Sequence, residues 1–186
     1  MISDKEFNDA QERLVSAWHR GDVAGAFSEI ERILREGTGE MKSQSLFYRG
    51  MIQEDQGKIT EAQQDWLKAH EYAKEGTFIR YELEHKIGES LERLNQNREA
   101  LNWYRRALNT CAGGNNFSGH QTLTSLLNLN GGDLSTEDPS LLASVIEKSW
   151  LVLELAGKPD FANLPESIRI LTLKFHEIVA DAKLSS

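Results

Sequence analysis

Apolar residues recur along most of the chain at intervals of three and four, with polar residues between them, as amphipathic helices require. Proline, the main helix breaker, occurs only three times. Three stretches align without gaps over their centres. The first runs Leu14, Ala17, Gly21, Ala26, Ile30, Ile33; the second Gly50, Gln53, Gly57, Ala62, Trp66, Ala69; the third Gly88, Leu91, Asn95, Ala100, Tyr104, Ala107. In each, a residue of the first helix is followed by an alanine twelve positions later. An aromatic residue or isoleucine comes four after that.

This spacing describes a helical hairpin. Two helices that cross closely need small residues at the crossing, which Gly50, Gly88, Ala26, Ala62 and Ala100 supply. The turn needs a residue that tolerates positive φ, and Gly21, Gly57 and Asn95 stand there. Trp66 and Tyr104 then fill space one turn beyond the alanine. A hairpin with an apolar face it cannot bury alone must stack on its neighbours.

The pattern resembles the tetratricopeptide repeat, a helical hairpin of about 34 residues. The match is fullest over Leu46, Arg49, Gly50, Gln53, Gly57, Ala62, Trp66 and Ala69, and nearly as full in the third stretch. In the first, Leu14 replaces the usual glycine, and the terminal proline of the family pattern is missing throughout. The units are offset by 36 and 38 residues, so their second helices or linkers are slightly long. The resemblance covers about residues 7 to 114. It implies an all-α fold, a right-handed α-α superhelix of about three hairpins, with further helices as a C-terminal cap. Generic hairpins of another α-solenoid are the bland alternative, with the same functional consequence.

Beyond the repeats, Gly113 to Gly119 reads as a loop, and a helix is predicted from His120 to Asn130. Asn130-Gly131-Gly132-Asp133 reads as a turn. Asp138 is expected to cap a helix that starts at Pro139 and runs to Ala156, apolar on more than one face and compatible with a homodimer. A final helix is expected from Pro165 to Lys183. Residues 1–114 thus form the repeat array. Residues 115–186 form a degenerate repeat and cap, continuous with it in one domain.

Charge narrows the partners. With 29 acidic and 21 basic residues the formal net charge is -8. No basic stripe longer than Arg105-Arg106 stands ready for phosphate, so nucleic acid is disfavoured and a basic protein partner favoured. Cys111, the single cysteine, has no internal disulfide partner and reads as a packing residue. The chain opens without a basic segment and an apolar run, and no stretch is long enough to span a bilayer, which predicts a cytoplasmic protein without membrane contact.

Chemistry is sparse. The five histidines form no His-Glu-x-x-His arrangement, no second Glu-x-x-His accompanies Glu82 and His85, and no phosphate loop or catalytic cysteine pattern stands out. Glu82 and His85 read as a surface pair. Neither catalytic residues, metal nor cofactor is expected.

In tetratricopeptide proteins the first helices of the hairpins line a groove. By position, the resemblance implies partner-binding residues Gln11, Val15, Trp18 and His19 in the first unit. In the second it implies Gln44, Phe47, Met51, Glu54 and Asp55, and in the third Glu82, His85, Glu89, Glu92 and Arg93. A register slip of one would instead place Trp18, Phe47 and Met51 in the core. The projected groove begins apolar and becomes acidic, which suits a basic or amphipathic segment. The clamp that one family subset uses for chaperone carboxylates needs cations. Gln11, Val15, Tyr48, Glu82 and Lys86 occupy those positions, so that ligand is not expected.

The leading expectation is a protein-protein interaction module, an adaptor. An immunity protein or antitoxin that neutralises a basic toxin is the alternative. A secretion chaperone, or an enzyme with a pocket near His120 or Cys111, stand behind it.

Overall fold

The computed structural model describes residues 2–114, 119–131, 133, 137–138, 140–142 and 144–146. All regular structure among them is helical: α1 (Asp4–His19), α2 (Val23–Glu36), α3 (Gly39–Asp55), α4 (Ile59–Tyr72), α5 (Phe78–Arg93), α6 (Asn97–Gly113) and α7 (His120–Leu129). Each packs on its sequence neighbour, so the chain builds a row of hairpins: α1 with α2, α3 with α4, α5 with α6. No helix among the described residues is long and apolar enough to cross a membrane. The part of the expected Pro139–Ala156 helix beyond Ile146 and the helix expected from Pro165 to Lys183 lie outside the described residues.

The first three hairpin turns share one geometry. Gly21, Gly57 and Asn95 take φ of 78°, 75° and 59°. At the second, the Gly57 amide donates to Glu54 O at 2.8 Å and the Lys58 amide to Gln53 O at 2.9 Å. This crossed pair satisfies two carbonyls that the helix end would leave bare. The same two bonds recur at Gly21-Asp22 and at Asn95-Gln96. A further turn residue, Gly131, has φ 65° and donates to Asn128 O. It follows Asn95 by 36 residues, so α7 occupies the first-helix position of a fourth hairpin. Residues 140–142 and 144–146 are helical after it, and Asp138 caps them by accepting the Ser140 amide at 2.8 Å.

The crossings are built as the small residues predict. A Cβ on Gly50 would overlap the indole of Trp66, and one on Gly88 the ring of Tyr104. Both rings are fully buried, and Trp66 Nε1 donates to Phe47 O at 3.2 Å. In the first hairpin the volumes are exchanged. Leu14 stands in place of glycine, and Ile30 in place of the aromatic ring, within one buried cluster. The larger Leu14 is therefore offset by the smaller Ile30 at this crossing.

One main cluster runs from Leu46 through Trp66, Ile87 and Tyr104 to Leu123, Leu126 and Val145. Cys111 is fully buried in it. The fourth unit is thus packed on the third and covers its last apolar face. A forked ion pair adds to this join, with Arg105 Nη2 2.7 Å from buried Glu137.

Candidate partner-binding cleft

The first helices α1, α3 and α5 share one face, where the projected groove residues meet. Side chains cross it from helix to helix. Gln11 Nε2 donates to Gln44 Oε1 at 3.2 Å, joining α1 to α3. Trp18 Nε1 donates to Asp55 Oδ2 at 2.9 Å between the same helices. From α5, Lys86 reaches Glu54 at 3.2 Å and Arg93 reaches it at 2.8 Å. Six of the projected residues and Lys86 are thus drawn together by the fold, but largely as partners of one another.

This corrects the expectation of an open acidic groove. Glu54, its side chain 12% exposed, is held by two cations of α5. Glu89 pairs with Lys86 at 2.7 Å and with His85 at 3.5 Å. Burial alone would raise the Glu89 pKa, but the bonds and charges of His85 and Lys86 outweigh it and hold the value at about 2. Glu92 accepts the Tyr104 hydroxyl at 2.8 Å, so it serves the joint between α5 and α6. Burial and the Glu92 charge push the Tyr104 hydroxyl pKa up.

His85 is the second correction. The expected surface pair with Glu82 does not form, because α7 lies over that part of α5. His85 is buried, with Nδ1 2.9 Å from Thr122 Oγ1, and its ring lies between Tyr81 and Tyr104. Thr122 also bonds the Tyr81 hydroxyl at 3.0 Å. His85 therefore anchors the fourth unit and is not available to a partner.

What stays open is a cleft of about 410 Å³, within the range of about 300–1,000 Å³ usual for ligand sites. It is lined by Gln11 of α1, by Glu40, Gln44, Phe47 and Tyr48 of α3, and by Thr77, Phe78, Ile79 and Glu82 at the start of α5. A broader depression shares Gln11 and Tyr48 with it and runs along α1 past Val15 and His19. Trp18, Phe47 and Met51 are half-buried and packed against core clusters, between the two placements their register allowed.

Thr77 explains the α5 edge. Its hydroxyl caps the helix, accepting the Arg80 amide and donating to Lys74 O at 2.7 Å. Phe78 then follows as the first helical residue and is 56% exposed, the most exposed of the large hydrophobic side chains described. Glu82 lies one turn further on the same face. Its carboxylate has no hydrogen-bond or ion-pair partner among the described residues, and burial pushes its pKa up. The projection started its third set at Glu82 and so missed Phe78 and Ile79. An apolar residue one turn before Glu82, directly after a capping threonine, was the signal that could have found Phe78.

No protein-family model matches this chain. Comparison with curated proteins finds no match either. The functional reading rests on the cleft and its residues.

Proposed function

We propose that the chain is a tetratricopeptide-type interaction module that holds a segment of another protein in the cleft between α1, α3 and α5. The observation that carries this reading is Phe78. A phenylalanine 56% exposed, at the mouth of a cleft that also presents Phe47, Tyr48 and Ile79, leaves apolar surface in water that a partner would cover. The bond between Gln11 and Gln44 joins two walls of the cleft in advance, which lowers the ordering cost of binding. The amphipathic lining favours an amphipathic segment. Its basic character is set by one carboxylate, Glu82, rather than by a broad acidic field.

The test is an affinity capture from native lysate with wild-type protein beside Phe78→Ser, read by mass spectrometry. One stoichiometric partner, lost in the variant, is the expected result, and its identity separates an adaptor target from a toxin or a secretion client. A partner retained equally by both proteins would move the interface away from this cleft.

A further inference from the structure

The polar groups of the cleft are not equally committed. Glu40 is paired with Lys74 at 2.8 Å. Further along the face, Glu54, Glu89 and Asp55 are bonded to Lys86, Arg93 and Trp18. Glu82 alone among the lining carboxylates lacks a direct partner within the described residues. The site therefore offers one negative charge.

The paired amides add a second constraint. Gln11 and Gln44 use one donor and one acceptor on each other. A side-chain amide has two N–H groups and two acceptor positions, so the pair still presents N–H and C=O groups at the cleft wall. A peptide unit in extended conformation needs such a donor and acceptor, whereas a helical segment has satisfied its own backbone.

The third constraint is distance. Phe78 and Glu82 stand one helical turn apart on α5, which separates their Cβ atoms by about 5–6 Å. Along an extended strand, residues i and i+2 point to the same side and lie about 6.6 Å apart. An extended segment can therefore span the two side chains; a helical one at i and i+4 could too, so it is the amide pair that favours the extended form.

We infer that the cleft takes an extended segment of a partner protein in which a lysine or arginine lies two positions from an apolar residue. The cation sits on Glu82, the apolar side chain lies against Phe78 and Phe47, and Gln11 and Gln44 bond the backbone between them. The inference rests on the cleft being the binding site.

The probe is a random dodecapeptide library displayed on phage and panned on the intact protein. Binders are then measured as synthetic peptides against wild type, Glu82→Gln and Phe78→Ser, each first shown to be folded by circular dichroism. Enriched peptides are expected to carry Lys or Arg two positions from an apolar residue. They should bind Glu82→Gln about tenfold more weakly, as one charge-assisted hydrogen bond demands. Replacing their basic residue by serine should weaken binding to wild type by a similar factor and leave binding to Glu82→Gln nearly unchanged.

Enrichment of basic and apolar residues three or four apart would indicate a helical occupant and overturn the inference. So would acidic binders, or equal affinity for wild type and Glu82→Gln. In those cases loss of binding in Phe78→Ser still upholds the cleft as the site. Peptides that bind Phe78→Ser as well as wild type, or a library without any cleft-dependent binder, would overturn the site and the inference together.

Discussion

Arg49 holds Asp65 by two parallel bonds, Nε to Oδ2 at 2.7 Å and Nη2 to Oδ1 at 2.6 Å. The pair joins α3 to α4, and Arg49 also reaches Glu31 of α2 at 2.8 Å. One unit earlier, Arg13 and Glu29 make the same forked contact with the same sequence separation. The two pairs differ in burial. Asp65 is 8% exposed in its side chain, whereas Arg13 is 49% exposed.

That difference sets a rank order. Arg49→Met leaves a buried carboxylate without its partner and should cost about 3 kcal/mol in urea unfolding. Arg13→Met should cost clearly less, because water already screens that pair. Equal losses would show that burial does not govern these contacts.

Gly50→Ala and Gly88→Ala should each destabilise the protein by about 1–3 kcal/mol, since the added methyl group meets Trp66 or Tyr104. The first should also disturb the bond from Trp66 to Phe47 O. Gly113, helical at the end of α6 with open space around it, is the control. Gly113→Ala should stabilise by up to about 1 kcal/mol through helix propensity. Gains at all three positions would contradict the close crossings.

Glu82 should weaken the fold that displays it. Burial raises its folded pKa above the unfolded value, so its contribution to stability is present in acid and lost as pH rises through the folded pKa. Glu82→Gln should therefore melt roughly 1–3 °C higher than wild type at pH 7. The difference should shrink as pH falls below the ordinary carboxylate range. A gap independent of pH would mean that charge is not its cause.

Glu89 should act in the opposite sense. Its folded pKa is lowered from an ordinary value near 4.5 to about 2, so it contributes stability above pH 4.5 that is lost as pH falls toward 2. Glu89→Gln should cost about 1–3 kcal/mol at pH 7, where Lys86 and His85 lose their charged acceptor. Acid unfolding of the variant should be shallower over that window. A wild-type curve flat between pH 4.5 and 2 would contradict the pairing.

The fold was legible wherever one residue type has one backbone use. Gly21, Gly57 and Asn95 announce turns because few residues accept positive φ, and Gly50 with Trp66 announces a crossing because volume must be conserved there. Gly131 repeats that interval and marks the fourth unit, although the longer connection after it obscured the match. The site was legible only as a face. Position along a helix predicts which way Glu54, Glu89 and Glu92 point, but not that Lys86, Arg93 and Tyr104 reach them. Those partners come from neighbouring elements at distances no periodicity encodes. His85 was misread for a related reason: α7, which buries it, falls outside the three aligned units.

The bonds that cross from α1 to α3 and from α3 to α5 also have a mechanical meaning. Gln11–Gln44, Trp18–Asp55 and the Glu54 pairs tie together the same edge of three successive hairpins. Stacked units that touch only their neighbours would otherwise flex like a hinge at every joint. Such ties resist the stretching of that edge but not its shortening. The array should therefore resist being pried open along the cleft more than being bent further closed, as a strung bow does.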